Sequence, residues 1–261
     1  LYNHKLDYFL NGVVMKINEI RQNAFGMPYC SPSASKIEYK MKNREYFIIR
    51  YETDFDALQE IVPEPLKVVS NVVKMEFMKM PDAYGFGSFQ EAGQQIEVEF
   101  EDKKGAYVHQ MFVNDVASIS AGREIWGYPK KYASPDLKVD VDTLLGTLKY
   151  NSTIVAAGTM GYKYHTLDAA AVQKDLEETP IYMLKIIPHV NLKEASICQL
   201  TKCFIKDVTV HGAWSGPSNL QIFNHALADL NQLPVRKILG ASYFVADVNL
   251  VGGEVAFDYL K

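Results

Sequence analysis

A pair of lysines, Lys130 and Lys131, ends a decapeptide whose composition favours nucleophilic chemistry. Residues 122–131 read Gly-Arg-Glu-Ile-Trp-Gly-Tyr-Pro-Lys-Lys, so aromatic and proline side chains precede the pair. Apolar neighbours exclude water, and a desolvated amine becomes neutral and nucleophilic near pH 7. A lysine pair is also common on solvated surfaces, and residues 103–104 give this chain a second one. The residues alone leave both interpretations open.

Motifs for metal, nucleotide and serine chemistry are missing from the sequence. The histidines never occur in the H-x-x-x-H or H-x-H spacing that directs two imidazoles at one metal ion; they lie at positions 4, 109, 165, 189, 211 and 225. The chain has no G-x-G-x-x-G, no G-x-x-x-x-G-K-[ST] and no G-x-S-x-G. We therefore expect no metal ion, no bound nucleotide and no serine nucleophile.

Strand patterns dominate the main body of the chain. In residues 95–101, Gln-Ile-Glu-Val-Glu-Phe-Glu, apolar and polar side chains alternate, which is typical of a strand with one face in a core. The predicted strands span residues 46–51, 67–80, 95–101, 106–113, 146–164, 181–187, 204–210 and 242–259, with a hairpin turn at 102–105.

Few helices are predicted beside these strands. Thr53 or Asp54 caps a short helix that stops before Pro63. Ser218 caps a second helix, whose inward residues are Leu220, Phe223, Leu227 and Leu230. Many sequential strands with few crossover helices predict an α+β fold, mostly antiparallel β, with a closed, barrel-like sheet.

A segment rich in glycine, proline and serine divides the chain unequally. This segment, residues 24–35, follows a predicted helix in the first 22 residues. The remainder shows no internal repeat and no second linker. We therefore predict an N-terminal helical extension and linker over residues 1–35 and a single domain over residues 36–261.

Composition excludes several classes of protein and partner. With 48% apolar and 22% charged residues, the chain is globular rather than disordered. A net charge of −4 and only five arginines argue against a nucleic-acid partner. The longest stretch without charge, residues 208–228, contains too many polar residues for a membrane span, and residues 1–15 lack a secretory signal pattern. Three cysteines without metal-ligand spacing favour the reducing cytoplasm.

The decapeptide at 122–131 resembles the active-site segment of the acetoacetate decarboxylase family. Other segments resemble the family in the same order; they are Asn-Arg-Glu-Tyr-Phe at 43–47, Val-Pro-Glu-Pro-Leu at 62–66, Met-Glu-Phe at 75–77, Gln-Glu-Ala-Gly at 90–93, Asp-Thr-Leu-Leu-Gly-Thr-Leu at 142–148, Thr-Met-Gly-Tyr at 159–162, Tyr-Met-Leu-Lys-Ile-Ile-Pro at 182–188 and Val-Thr-Val-His-Gly-Ala-Trp-Ser-Gly-Pro at 208–217. The likeness is continuous from about residue 40 to residue 261, and the first 35 residues are longer than the family pattern.

This resemblance implies a role for each matching residue. Lys130 is expected to form a Schiff base with a substrate ketone, with Lys131 as its neighbour, and Arg44, Glu76 and Glu91 match polar active-site residues of the family. The family likeness implies decarboxylation of the β-keto acid acetoacetate to acetone and carbon dioxide without a cofactor. It also implies a β-rich fold in a large homo-oligomer, of which a dodecamer is one form.

The implied reaction makes chemical sense for an amine. Loss of carbon dioxide leaves an electron pair on the α carbon, and a protonated imine holds that pair as a neutral enamine without a metal. A carboxylic acid must then return a proton to carbon, and Glu76 and Glu91 are the candidates. Ion pairing alone is the other interpretation of these glutamates. Arg44 either orients them or clamps the substrate carboxylate, and a clamp would stabilise the ground state.

The reactivity of Lys130 has two possible causes, burial and repulsion by Lys131. Neighbouring side chains of an extended segment point to opposite faces, so the two amines lie too far apart for repulsion to exceed the effect of burial. We therefore predict that Lys130 is buried, and that Lys131 points away and pairs with an acidic group.

Two alternative functions remain beside the decarboxylase. One is a Schiff-base aldolase or dehydratase that uses the same lysine on another oxo acid. The other is a non-catalytic β-barrel that binds small carbonyl compounds. The intact set of Lys130, Glu76, Glu91 and Arg44 argues against the second alternative.

Overall fold

The computed structural model describes residues 15–261. The chain divides into two compact units, Leu1–Lys36 and Ile37–Lys261. Its helical segments are α1 (Ile17–Asn23), α2 (Phe55–Ile61), α3 (Val116–Ala121), a π-helical turn (Gly122–Trp126), α4 (Ala169–Glu178) and a 3-10 turn (Leu230–Gln232). The strands are β1 (Tyr39–Glu52), β2 (Lys67–Ala83), β3 (Gly87–Phe100), β4 (Lys103–Val113), β5 (Lys130–Tyr132), β6 (Ser134–Asp140), β7 (Thr143–Tyr150), β8 (Thr153–Gly161), β9 (His165–Thr166), β10 (Ile181–Pro188), β11 (Ala195–Cys203), β12 (Ile205–Gly216), β13 (Ser218–Ile222), β14 (Lys237–Leu250) and β15 (Glu254–Asp258).

The first unit contains α1, which overlaps the C-terminal part of the segment predicted to be helical, residues 1–22. Residues 1–14 of that prediction lie outside the described residues. None of the helices in residues 15–261 has the length and apolar character needed to cross a membrane.

The second unit is built from two sheets. Eleven strands form the larger sheet in the order β15-β11-β10-β4-β3-β2-β1-β14-β12-β9, with β5 paired to β4 off this path. Four strands form the smaller sheet in the order β13-β8-β7-β6. Within the described residues only β10 and β5 pair in parallel, each with β4. The predicted mostly antiparallel α+β class is therefore confirmed.

The hydrophobic core lies between the two sheets. Phe47, Ile49 and Tyr51 of β1 point toward the smaller sheet and are fully buried. Gly146 of β7 lies so close to the Phe77 ring that a Cβ atom there would overlap it. The smaller sheet thus packs tightly against one face of the larger sheet, and the other face is left to form a cavity.

The predicted closed barrel is wrong. The larger sheet ends in two different edge strands, β15 and β9, which do not pair with each other in the described part of the chain. Between β9 and β10 the chain runs through α4, which packs on β12. Strand count and alternation indicate a sheet but not where its hydrogen-bonded ladder stops, so closure was not predictable from them.

Two local predictions are also corrected. Ser218 begins strand β13 rather than a helix, because residues 218–222 pair with β8, and the supposed inward residues Phe223 and Leu227 are exposed. The hairpin loop begins one residue earlier than predicted and is shorter: it consists of Glu101 and Asp102, which both have positive φ angles, while residues 103–105 already belong to β4. The predicted helix after Asp54 is confirmed as α2.

Candidate active site

A cavity of about 470 Å³ lies against the face of the larger sheet that the core does not use. Four of the five predicted site residues, Arg44, Glu76, Glu91 and Lys130, line it, and Lys131 does not. Val172 and Leu176 of α4 and aromatic side chains of other elements complete the wall. The larger sheet therefore brings together side chains that are up to 86 positions apart in the sequence (130 − 44).

Lys130 is the first residue of β5 and is only 8% exposed, so its predicted burial is confirmed. Its Nζ atom donates to Ser118 Oγ at 2.8 Å and lies 2.5 Å from Glu91 Oε1. Arg123 donates from Nη1 to the Lys130 carbonyl oxygen at 3.1 Å, which holds the backbone in place. The amine is thus fixed by a hydroxyl and a carboxylate inside a largely apolar environment.

Two features of the chain before β5 deliver this lysine to the cavity. The π-helical turn is followed by Gly127, whose φ of +91° is favourable for glycine alone. Residues 130–132 then pair in parallel with β4, so that Lys130 stands opposite Met111. Because β4 itself pairs with β3, the lysine reaches Glu91 on that strand.

Glu91 and Arg44 form the polar centre of the cavity wall. Arg44 Nη2 lies 3.9 Å from Glu91 Oε2 and 2.9 Å from the sulfur of Met78. The guanidinium also stacks over the Tyr46 ring, with 4.4 Å between Cζ and the ring centroid. The side chains of Arg44, Glu91 and Lys130 are all less than 10% exposed. Glu91 therefore lies between two buried basic side chains, Arg44 and Lys130.

Glu76 differs from Glu91 in its electrostatic environment. Its Oε2 atom accepts a hydrogen bond from Gln95 Nε2 at 2.8 Å, and the residue is 4% exposed. Burial raises the pKa of Glu76 to about 7, against the attraction of Lys74 and Arg44, and the Glu91 charge adds to the rise. A carboxyl group with this pKa exchanges its proton near neutral pH.

Lys131 lies outside this arrangement. It is exposed, and its Nζ atom donates to the backbone carbonyl of Leu227 at 2.8 Å. The acidic partner predicted for Lys131 is not found among residues 15–261, because a neutral carbonyl satisfies the ammonium instead.

Two contact residues of Lys130 were missed by the sequence reasoning. Ser118 has no sequence signal, since it lies in α3, and only the fold brings its hydroxyl to the amine. Gly122, inside the decapeptide, faces the Lys130 side chain: a Cβ atom there would lie 2.7 Å from Cδ and 2.8 Å from Cε. In the described part of the chain, no three His, Cys, Asp or Glu side chains are grouped to hold a metal ion.

Replacing Gly122 by valine is expected to displace the Lys130 amine and to lower kcat/KM for the keto acid about 100-fold, since a shift of about 1 Å at a reacting group has that effect. The fold should persist, because the groups that must move belong to a flexible side chain. Gly252→Val is the matched control, as nothing lies within 4 Å of its Cβ position. Steady-state kinetics and thermal unfolding check both variants; equal kinetics for the two would contradict the prediction.

Comparisons with known proteins identify the family. Residues 26–260 match the family model described as acetoacetate decarboxylase (ADC). The curated acetoacetate decarboxylase of Acidiphilium cryptum is 52% identical over 241 residues, which are 92% of this chain and 98% of the relative. A crystal structure of acetoacetate decarboxylase from Legionella pneumophila has 43% identity and a TM-score of 0.85, covering 93% of this chain and 97% of that one. Another solved acetoacetate decarboxylase structure has 46% identity and a TM-score of 0.89, covering 95% of this chain and 100% of the other. The chain belongs to the acetoacetate decarboxylase family.

Proposed function

We propose that this protein decarboxylates acetoacetate to acetone and carbon dioxide through a Schiff base on Lys130. The observation that carries the proposal is a buried primary amine, 8% exposed and 2.5 Å from the carboxylate of Glu91, in the wall of a cavity that accommodates a small keto acid. Names of close relatives support the same reaction. The protein itself supplies the electron sink, so the proposed reaction needs no cofactor.

Glu91 accepts a proton from the Lys130 amine and later returns one. At 2.5 Å it can accept a proton from the Lys130 ammonium, which leaves a neutral nitrogen. The amine then adds to the ketone carbon, water leaves with the proton returned by the carboxyl group, and a protonated imine forms.

The imine carries the decarboxylation. The bond between the α carbon and the carboxylate breaks, its electron pair moves into the enamine, and carbon dioxide departs. Glu76, whose pKa lies near 7, donates a proton to the α carbon. Water finally hydrolyses the imine, which releases acetone and restores the Lys130 amine.

Arg44 orients Glu91 rather than clamping the substrate. Its guanidinium lies 3.9 Å from Glu91 and is otherwise engaged by a methionine sulfur and an aromatic ring. A direct ion pair with the substrate carboxylate would stabilise the bound acid more than the transition state, in which that charge is dispersing. Orientation of the base therefore fits the chemistry better.

Borohydride reduction in the presence of acetoacetate tests the Schiff base. We expect a covalent adduct on the tryptic peptide containing Lys130, together with release of carbon dioxide in the untreated reaction. An adduct on Lys131 or Lys185 would overturn the residue assignment. Adduct formation without carbon dioxide release would favour an aldolase or dehydratase, and the absence of any adduct would favour simple ligand binding.

The protein is further proposed to act as a large cytoplasmic homo-oligomer, with residues 36–261 as the catalytic domain. The family resemblance supports assembly, and so do highly exposed apolar side chains such as Val141, Val190 and Leu192. Free thiols at all three cysteines are consistent with a reducing compartment. Light scattering at micromolar concentration should return a multiple of 29.5 kDa, and removal of residues 1–35 should change the assembly more than the kinetics. A mass of one chain would contradict this.

A further inference from the structure

The alternation of side chains between the two faces of strand β1 shifts by one residue just before Arg44. Met41 lines the cavity, and so do the even-numbered residues from Arg44 to Arg50. Side chains of a regular strand alternate, so Met41 and Arg44 would ordinarily point to opposite faces. An extra residue at positions 42–43 reverses the alternation, and Arg44 enters the cavity because of it.

The extra residue is a β-bulge opposite Asp247 of β14. Met41 pairs with Val248 and Arg44 with Ala246, so residues 42 and 43 together oppose a single residue. Asn43 has a φ of +51°, a left-handed conformation in which non-glycine residues are uncommon. A conformation of this kind persists only where surrounding interactions hold it.

Asp247 supplies those interactions. Its Oδ1 atom accepts from the Asn43 amide at 2.9 Å, and its Oδ2 atom accepts from Lys42 Nζ at 2.6 Å. His211 Nε2 of β12 lies 3.0 Å from Oδ1 and braces the carboxylate from the other side. Although partial desolvation opposes it, these hydrogen bonds hold the pKa of Asp247 well below its usual range. Both bulged residues are therefore tied to one ionised carboxylate.

Asp247 itself does not line the cavity. Phe244 and Leu250 of β14 line it, and Asp247 is an odd number of residues from each, so its side chain points to the opposite face of the strand. Any influence of this residue on catalysis must pass through the backbone of β1.

We propose that Asp247 is a positioning residue of the active site, which fixes the bulge at residues 42–43 and thereby turns Arg44 into the cavity beside Glu91. This inference rests on the proposed decarboxylase function. It assigns an effect on catalysis to a side chain on the far face of the sheet.

Kinetics of single and double variants test the proposal. Asp247→Ala should lower kcat/KM about ten- to a hundredfold, as expected when a group near the reacting atoms shifts by about 1 Å. In an Arg44→Met background the same change should have little further effect, because both act through one guanidinium. Asp247→Asn keeps an acceptor for the Asn43 amide and should recover most of the activity.

Controls separate positioning from loss of folding. Asp54→Ala breaks the exposed pair with Arg236, whose atoms are 2.7 Å apart, and should leave kcat/KM unchanged. Asn43→Gly added to Asp247→Ala should restore activity in part, since glycine adopts a positive φ without strain. Wild-type kinetics for Asp247→Ala would overturn the proposal. So would a double variant whose loss of kcat/KM equals the product of the losses in Asp247→Ala and Arg44→Met alone.

A measurement that does not depend on turnover tests this proposal separately from the proposed function. Arg44 lowers the pKa of Glu76, so withdrawal of its guanidinium should move the Glu76 titration to higher pH. Carbon-13 NMR of labelled glutamate carboxyl groups should show this shift in Asp247→Ala and in Arg44→Met, and no further shift in the double variant. An unshifted titration in Asp247→Ala would overturn the positioning role even if the wild-type protein decarboxylates acetoacetate; inactivity of the wild-type protein would refute only the function.

Discussion

Lys130→Arg should give a folded protein whose decarboxylation rate is lower by at least about 10³-fold, since removal of a covalent nucleophile has effects of this size or larger. A guanidinium remains charged and does not condense with a ketone under these conditions. The fold should survive because arginine keeps the positive charge that faces Glu91 at 2.5 Å, so no buried carboxylate is left without a counter-charge. Carbon dioxide release and thermal unfolding measure the two effects separately.

Lys131→Arg is the matched control for that experiment. Lys131 is adjacent in sequence but exposed, and its ammonium donates to the Leu227 carbonyl, an acceptor that arginine can also reach. We expect its kinetics to equal those of the wild-type protein. Retention of a tenth of the activity by Lys130→Arg, or a comparable loss in Lys131→Arg, would place the nucleophile elsewhere.

The fold was predictable wherever a local pattern reflected one buried face. Residues 95–101 alternate apolar and polar side chains. Residues 95–100 lie in β3, and residue 101 belongs to the turn that follows. The strand at 218–222 was not predictable, because Ser218 is a good helix cap and its pairing with β8 depends on residues some 60 positions away. Helix α4 was missed although Asp168 accepts from the Ala170 amide as an N-cap, and a run of alanines follows it.

Site residues were predictable where neighbouring residues in the sequence indicate their environment. Aromatic side chains next to Lys130 indicated burial, and the family resemblance selected Arg44, Glu76 and Glu91. The contacts among them were not predictable, since β4, β3 and β2 lie between the lysine strand and the strand of Arg44. The difference between the two glutamates likewise arises from the fold, which gives Glu91 two close cations and leaves Glu76 with a neutral amide donor.

Glu76→Gln should lower kcat by about 10²- to 10⁴-fold, the range for loss of a general acid. The pKa of Glu76 is raised from its usual value of 4.5 to about 7, so the donor is protonated below neutral pH and the wild-type rate should fall as the pH rises through about 7. The variant has no proton to lose at this position, and this part of its pH profile should be flat. Glu99→Gln, on the same strand as Glu91 but outside the cavity, should keep the wild-type profile.

The same substitution should stabilise the fold above neutral pH. Because burial makes folded Glu76 hold its proton up to about pH 7, whereas the unfolded chain releases it near 4.5, the folded state binds more protons between these values and stability falls as the pH rises through this interval. At about 1.4 kcal/mol for each pH unit between the two pKa values, the loss is roughly 3 kcal/mol. Glutamine stays neutral and can still accept from Gln95, so Glu76→Gln should unfold at a higher denaturant concentration than the wild-type protein at pH 8 and at nearly the same concentration at pH 4. A variant that is slow but no more stable at pH 8 would indicate that folding does not raise the pKa of Glu76, and would assign the proton donor to another group.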